Sequence, residues 1–333
     1  LMPVAYTART VASPRRAADP LSCRRRVMGR IAYDYTLRAK VIGLAPGTRY
    51  HYRFVSGAST SPAGSAKTAP AATSAASQMR FAWLTCQDWS VNHWAAMNLI
   101  AAEELDFLVH LGDYIYETVG AAFQAGVAEP AHARITLPDG GSTPGASGLH
   151  ATSLEDYRTL YRTYRSDPRL QELHRKFPMI AIWDDHEFSD DCWQDHQTYN
   201  NANKQETTRR RAASQAWAEY MPIDFGDVSF DLHKPGHDNI RIYRDFRFGT
   251  LMHLVMTDQR LYRDDHPVGE AELAMLIGHF YRNGTSLAKA VQEALHEARG
   301  TYGIAVMCGD CPAEIVAARK GSPLILGVGD CEY

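Results

Sequence analysis

In FLVHLGDYIYE, residues 107–117, a largely apolar run leads directly into side chains that can bind metals. The stretches FAWLTCQDW (81–89) and MIAIWDDHEF (179–188) have the same organisation. Continuous apolar runs of this kind are typical of strands that are buried on both faces of a sheet. Ligands of open α/β sheets bind beyond the carboxyl ends of the strands, so we expect the three ends to converge on one crevice.

The side chains at these strand ends suit metal ions. Carboxylates are hard oxygen donors for highly charged cations, and a thiol or a phenol beside them favours a transition metal. Two metals about 3.5–4 Å apart can hold both the attacking and the leaving oxygen of a phosphoryl displacement. Each residue taken alone also fits a structural role, such as a buried cysteine, a turn or a capping pair. The candidates are Cys86, Asp113, Tyr116, Asp184, Asp185, His186 and Glu187.

The segments around the strand ends alternate between helical and extended patterns. Periodicity predicts helices at 94–104, 154–164 and 207–220, and a strand pair around Gly249 at 240–248 and 250–257. Residues 118–148 are rich in Gly, Ala and Pro, which predicts a long surface loop; such loops are commonly functional lids or disordered insertions. The alternation as a whole indicates an α/β domain.

The N-terminal segment has a different pattern. Residues 33–55 contain two alternating, β-rich runs joined by a Gly/Pro turn, which predicts two strands of a small β-sandwich. Residues 62–78 consist mainly of Ala, Ser, Thr, Pro and Gly, which predicts one last short strand followed by a linker. We therefore place a domain boundary near residue 78.

Composition excludes several classes of protein. The chain has 333 residues, a formal charge of −3 and a pI near 6.6, so it has no overall field for nucleic acid or an anionic membrane. We find no run of the ~18–20 apolar residues that a membrane-spanning helix needs, and the opening Leu-Met-Pro shows no export signal. The six cysteines are too sparse for a disulfide scaffold.

Together, TCQDW, HLGDYIYE and WDDHE resemble, in this order, three blocks of PhoD-type alkaline phosphatases, members of the calcineurin-like metallophosphoesterase superfamily. APGTRYHYRF, RRRAASQAWAEYMPI and TDQRLYR extend the resemblance over residues 1–268. It implies a small N-terminal β-sandwich of fibronectin or immunoglobulin type and an incomplete α/β metallophosphoesterase-like domain of αββα architecture. It also implies hydrolysis of small-molecule phosphoesters and a secreted or periplasmic location.

The resemblance implies roles for residues at matching positions. Cys86, Asp113 and Tyr116 match residues that hold a ferric ion (Fe3+), and Asp113 would also bridge to a second site that takes calcium (Ca2+). Asp185 matches a metal-binding asparagine of the superfamily. His186 matches a histidine that contacts phosphate or protonates the leaving oxygen. The implied centre therefore has two or more metals.

Beyond these blocks the resemblance carries less functional information. Asp258 and Arg260 lie in a recurrent D-x-R block, for which a structural ion pair is the expected role. We find no Gly-Asp-x-His block to complete the metal shell, since the GD pairs at 309–310 and 329–330 are followed by cysteine. We therefore expect weak binding of the second metal and low activity.

The C-terminal residues have a different character. GTYGIAV and VAARKGSPLILGVGD resemble a fragment of the glutaminase domain of glutamine-dependent fructose-phosphate aminotransferase. That domain uses an N-terminal cysteine as its nucleophile, which neither Cys308 nor Cys311 matches, so we do not expect glutamine hydrolysis. No second Cys/His pair supports a zinc site at these two cysteines. The predicted domains are a β-sandwich at 1–70, a linker at 71–78, a partial catalytic domain at 79–268 and a glutaminase-like fragment at 269–333.

Two functions stay open from the sequence. The first is metal-dependent hydrolysis of a phosphomonoester or a phosphodiester. The second is a non-catalytic chain, truncated or fused, that acts as a binding or structural remnant. Metal content and turnover distinguish the two, and the sequence leaves the preferred ester and the oligomeric state undecided.

Overall fold

A computed structural model of the chain describes residues 5–12, 24–28, 33–75, 78–91, 94–142, 148–199, 203–231, 234, 236–263, 270–282, 284–298, 302–310 and 314–320. The chain divides into two compact units, Leu1–Arg263 and Asp264–Tyr333. Each unit has its own cluster of buried apolar side chains. The predicted metal-binding residues all belong to the first unit.

The described residues at the start of the first unit form an antiparallel sheet of five strands. The strand order is β2-β1-β3-β4, and β5 also pairs with β3. A second sheet facing this one is not found among the described residues, so the predicted sandwich stays a prediction. The strands are β1 (Ala5–Ala12), β2 (Arg24–Met28), β3 (Arg49–Ser56), β4 (Ser59–Thr60) and β5 (Gly64–Lys67).

The strand predicted at the start of residues 33–55 is wrong. Asp34 and Tyr35 adopt positive φ angles of 49° and 55°, which turn the chain, and residues 36–42 lie outside any strand. The Arg38 guanidinium in this run donates hydrogen bonds of 2.6 and 2.8 Å to the carbonyl oxygens of Ala218 and Met221. A side-chain tether therefore replaces the ladder hydrogen bonds that an alternating pattern predicts.

Beyond the five-stranded sheet, the described residues of the first unit form one parallel sheet, one short antiparallel sheet of three strands and two-stranded antiparallel pairs. The parallel sheet has the order β11-β7-β6, and all four residues of the central strand β7 are buried. The strands are β6 (Phe81–Leu84), β7 (Phe107–His110), β8 (Thr118–Val119), β9 (Gly141–Ser142), β10 (Leu149–His150), β11 (Met179–Ala181), β12 (His196–Gln197), β13 (Lys204–Gln205), β14 (Arg244–Phe248) and β15 (Met252–Met256).

Among the residues of the first unit that are described, four helices pack with this sheet in one apolar core. The helices predicted at 154–164 and 207–220 are confirmed, and the first of the two has a capping box between Ser153 and Asp156. Pro168 begins the third helix, where its fixed φ fits, and Asp167 caps it. The helices are α1 (Ala96–Ala102), α2 (Leu154–Tyr164), α3 (Pro168–Lys176) and α4 (Thr207–Tyr220).

The predicted strand pair around Gly249 is confirmed as the antiparallel hairpin of β14 and β15. Gly249 has a φ of +59°, and a Cβ at this position would lie 2.3 Å from the carbonyl oxygen of Ser74. Only glycine allows so close an approach of the two backbones.

The part of the second unit that the structure describes forms two helices and one antiparallel strand pair. Its core is formed by Ile277 and by Leu287, Ala290, Val291 and Ala294, whose spacing places them on one helix face. Cys311 and Cys331 lie outside the described residues. The elements are α5 (Glu270–Arg282), α6 (Leu287–Glu297), β16 (Tyr302–Met307) and β17 (Ile315–Lys320).

Candidate metal centre

The carboxyl ends of the three parallel strands are joined by backbone hydrogen bonds. Cys86 N donates to the Gly112 carbonyl at 3.3 Å, and Ile182 N donates to the His110 carbonyl at 3.0 Å. Cys86 and Asp113 both have left-handed backbones, with φ of 53° and 56°. Such angles are uncommon outside glycine and concentrate at functional sites, where the surrounding structure enforces them.

Gly112 allows the ends of β7 and β11 to approach closely. Its φ is +115°, and a Cβ there would lie 2.3 Å from the Asp184 backbone nitrogen and 2.8 Å from the carbonyl carbon of Trp183. A side chain at this position would push the two strand ends apart. The glycine therefore allows Asp113 and Asp185 to face the same space.

The structure brings the five predicted site residues together. One ligand atom from each of Asp113, Asp185 and His186 lies within 4.8 Å of the others. Cys86 Sγ donates to Asp113 Oδ2 at 3.3 Å, and the Tyr116 ring stacks on the His186 ring with centroids 4.0 Å apart. Asp113 is central, since its carboxylate contacts the thiol on one side and also accepts a 3.3 Å hydrogen bond from His186 N.

Burial disfavours the charged form of the three proposed iron ligands. Burial together with the negative charge of Asp185 raises the pKa of Asp113 to about 7. Burial raises the pKa of the Cys86 thiol to about 11, and burial with the Asp113 charge raises the pKa of Tyr116 above its usual range. A multivalent cation would reverse this balance, because it stabilises carboxylate, thiolate and phenolate together. This donor set therefore fits a metal centre.

Glu187 joins two of the strand ends through hydrogen bonds from their backbone nitrogens. Its buried carboxylate accepts hydrogen bonds from the backbone nitrogens of Asp113 at 2.9 Å, Tyr114 at 2.7 Å and Asp184 at 2.8 Å. Burial and the charge of Asp113 raise the pKa of Glu187 to about 8, against the effect of these three donors. The sequence offered Glu187 as a candidate donor, but gave no sign that its partners are backbone groups.

Glu117 holds His186 on the other side of the site. Its Oε2 lies 2.8 Å from His186 Nδ1, and its Oε1 accepts from the Tyr199 hydroxyl and, at 2.8 Å, from Asp190 N. Burial alone would raise the pKa of Glu117, but the charge and hydrogen bond of His186, the Tyr199 hydrogen bond and the Arg209 charge lower it to about 2. Burial alone would lower the pKa of His186, but Glu117, with Asp185 and Asp113, raises it well above the usual value. These carboxylates therefore favour the imidazolium form, in which both ring nitrogens carry a proton.

The residues around the centre form two groups. Sequence reasoning missed Glu117, although it is the last residue of the HLGDYIYE block. Arg209 donates to the Tyr199 hydroxyl at 3.1 Å, and this hydroxyl in turn donates to Glu117. The imidazole side comprises Glu117, His186, Tyr199 and Arg209, and the carboxylate side comprises Cys86, Asp113, Tyr116 and Glu187.

Arg260 neutralises part of the acidic charge. Its Nε lies 2.5 Å from Asp184 Oδ1 and its Nη2 lies 3.2 Å from Asp185 Oδ1. Asp258 instead accepts from the backbone nitrogens of Arg260 at 3.1 Å and Leu261 at 2.9 Å. The ion pair expected at the D-x-R block thus joins Arg260 to the third strand end rather than to Asp258.

A second acidic group shares Asp185. One oxygen from each of Asp185, Asp190 and Asp191 lies within 4.8 Å of the others. Asp191 N donates to Asp185 Oδ2 at 2.7 Å, and Asp191 has a positive φ of 51°. This backbone contact fixes the orientation of the Asp185 carboxylate.

Carboxylates, a thiol, a phenol and an imidazole therefore lie together at the ends of the parallel strands, as the donors of a candidate metal centre. Comparison with known families shows which family this chain belongs to. The model described as "PhoD-like phosphatase" matches residues 81–302, and the model described as "PhoD-like phosphatase, N-terminal domain" matches residues 7–70. The chain belongs to the PhoD-like phosphatase family. The resemblance found in the sequence is thereby confirmed.

Individual relatives are similar over part of their length. Alkaline phosphatase D of Bacillus subtilis is 31% identical over 238 residues, which are 72% of this chain and 38% of that protein. The solved structure entitled "Structure of PhoD" superposes with a TM-score of 0.64 and 25% identity, over 89% of this chain and 54% of that chain. This chain therefore spans well under two thirds of either relative, and shares the mixed α/β fold of the solved one.

A short part of the chain is similar to a different enzyme. The glutamine–fructose-6-phosphate aminotransferase of Bordetella pertussis is 45% identical over 60 residues, which are 18% of this chain and 10% of that protein. The phosphatase family match itself extends past residue 268, to residue 302.

Among the described residues, no helix has the length and apolar character needed to cross a membrane.

Proposed function

We propose that the chain is a metal-dependent phosphoester hydrolase. The observation that carries the proposal is the approach of Asp113, Asp185 and His186 to within 4.8 Å at the ends of parallel strands, beside a thiol and a phenol. Membership of the PhoD-like phosphatase family supports it. The substrates would be small-molecule phosphomonoesters or phosphodiesters, and a secreted or periplasmic location would follow from the family.

The proposed metal ligands are the donors on the three strand ends. Cys86, Asp113 and Tyr116 would hold a ferric ion, and Asp113 with Asp185 would hold calcium. When bound, the metals would supply Lewis-acid stabilisation of the negative charge that develops on the phosphoryl oxygens. Arg260 would keep Asp185 in place, since its Nη2 lies 3.2 Å from that carboxylate.

His186 is the proposed proton donor to the leaving oxygen. Glu117 binds Nδ1 of the imidazole and raises the pKa of His186, so the ring keeps a second proton at Nε2. The stacked Tyr116 ring restricts rotation of the imidazole. A positioned acid of this kind typically contributes about 10²- to 10⁴-fold to a rate.

We further infer that turnover is low, because the sequence carries no Gly-Asp-x-His block to complete the second metal's ligands. The test is to load the purified chain with iron and calcium and to measure hydrolysis of 4-nitrophenyl phosphate and bis(4-nitrophenyl) phosphate. We expect slow hydrolysis that chelators abolish and that His186→Ala reduces without loss of metal. Full metal loading without hydrolysis would favour the non-catalytic alternative, and turnover near the ~10 per second typical of enzymes would contradict the inferred impairment.

A further inference from the structure

Phe123 is an exposed aromatic side chain that lies beside the proposed proton donor. It belongs to the 3-10 turn Ala122–Gln124. Its ring centroid lies 5.5 Å from that of His186 and 6.1 Å from that of Tyr116, yet 52% of the side chain is exposed. One part of the ring therefore contacts the site, and another part is open to a ligand.

Polar contacts, rather than burial of the ring, hold this turn in place. The Gln124 side chain accepts from Ala121 N at 3.0 Å and donates to Asp88 Oδ2 at 3.0 Å and to the Thr118 carbonyl at 3.1 Å. Asp88 is itself buried and belongs to the first strand-end block, TCQDW. The turn is thus anchored to the frame of the metal centre, and the position of Phe123 is fixed before any ligand binds.

We propose that Phe123 is a specificity-determining residue that binds the flat, apolar leaving group of an aryl phosphoester. The inference rests on the proposed function. Because His186 would give its proton to the leaving oxygen, the group attached to that oxygen must lie on the His186 side of the phosphorus, where Phe123 is found. Aromatic rings pair favourably with centroids about 4.5–7 Å apart, so an aryl group has a matching surface here and an alkyl group has less.

The test compares two phosphonates that cannot be hydrolysed. Phenylphosphonate carries a ring on phosphorus and methylphosphonate carries a methyl group. Each is titrated calorimetrically into the full chain loaded with iron and calcium, with inorganic phosphate as a reference. We expect phenylphosphonate to bind about three- to tenfold more tightly than methylphosphonate, which corresponds to about 0.7–1.4 kcal/mol.

Variants assign this preference to the ring. Phe123→Ala should remove most of it, and Phe123→Leu, which keeps apolar bulk without a flat face, should keep only part. Phe225→Ala is the matched control, because Phe225 is exposed to a similar degree, 53%, and stacks with Arg38 at 4.7 Å. That control should retain the full preference. Where hydrolysis is measurable, Phe123→Ala should raise KM for 4-nitrophenyl phosphate and leave kcat nearly unchanged.

The possible results distinguish a failure of the role of Phe123 from a failure of the proposed hydrolase function. If both phosphonates bind equally, or if Phe123→Ala retains the preference, Phe123 does not select the leaving group, although the hydrolase proposal stands. If neither phosphonate nor phosphate binds and no ester is cleaved, the proposed function fails and this inference fails with it. Loss of the preference in Phe225→Ala as well would show a general effect of the substitution and would also overturn the inference.

Discussion

The imidazole side and the carboxylate side of the centre each contain one buried glutamate, and the two are shifted in opposite directions. Glu117 has its pKa lowered to about 2, whereas Glu187 has its pKa raised to about 8. Both side chains are almost completely buried and both accept backbone hydrogen bonds. Burial raises the pKa of both, so the charge of the neighbours decides the difference: His186 beside Glu117, and Asp113 beside Glu187.

The two sides differ in whether the chain's own residues balance the charge of the buried carboxylate. On the imidazole side the Glu117 carboxylate is paired with the His186 ring through one oxygen, and its other oxygen accepts from the Tyr199 hydroxyl and from Asp190 N. On the carboxylate side the acidic groups are hydrogen-bonded but not neutralised, which a bound cation would correct. Substitutions on the first side should therefore affect proton transfer, and those on the second should affect metal content and stability.

The largest effect is expected for Asp113→Asn. The substitution removes the carboxylate shared by the proposed metal sites, so both metals should be lost almost completely. Cys86→Ser, which removes only one ligand of the ferric ion, should retain part of the metal. Metal analysis of the two purified variants measures the difference, and equal stoichiometry would contradict the bridging role.

Gly112→Ala tests whether the close approach of the two strand ends requires glycine. The added Cβ would lie 2.3 Å from Asp184 N and the φ of +115° is unfavourable for alanine, so we expect a loss of about 3 kcal/mol or more in the free energy of unfolding. Gly43→Ala is the control, because Gly43 has a φ of +77° and no neighbouring atom within 4 Å. It should cost about 1 kcal/mol. Urea denaturation of both variants that gave equal losses would show that the close approach of the strand ends is not the cause.

The two glutamates offer the most direct contrast. Glu117→Gln should lower kcat about 10- to 100-fold at unchanged metal content, because the ring loses the charge that orients it. Glu187→Gln should instead lower metal content and destabilise the chain by about 1–3 kcal/mol, because an amide cannot accept from all three backbone donors. Metal analysis, kinetics and denaturation of both variants are needed. If both variants lost metal equally, the division between the two sides would be wrong.

A smaller effect is expected for Tyr199→Phe. The hydroxyl donates to Glu117 Oε1, but Asp190 N also donates to this oxygen at 2.8 Å and remains in the variant. We expect kcat to fall about two- to tenfold, with metal content unchanged. A fall as large as that of Glu117→Gln would mean that Tyr199 contacts the substrate instead of supporting Glu117.

The sequence predicted those parts of the fold that depend on local pattern. The helix at 154–164 was predictable because its periodicity and its capping box are properties of neighbouring residues, and the helix at 207–220 was also confirmed, although its N-cap residue, Glu206, makes no side-chain capping bond. The run at 33–42 failed as a strand because Arg38 is tethered to a carbonyl 180 residues away. Local alternation carries no information about such a partner.

The candidate site also contains residues whose role the sequence predicts and residues whose role it does not. The strand-end donors are visible because each directly follows an apolar run. The role of Glu117 depends on its contact with His186, which lies 69 residues further along the chain. The role of Glu187 depends on backbone nitrogens that lie 73 and 74 residues away. Tertiary approach creates both roles, and no local spacing encodes them. The pKa shifts of the two glutamates follow from the same approach.

The visible spectrum of the iron-loaded chain shows whether the strand ends hold a ferric ion. If Tyr116 and Cys86 hold a ferric ion beside Asp113, the protein should be purple from tyrosinate-to-iron charge transfer. Tyr116→Phe should lose this colour while Phe123→Ala and His186→Ala keep it. A colourless protein that contains stoichiometric iron, or an unchanged band in Tyr116→Phe, would show that the strand ends do not form the proposed metal centre.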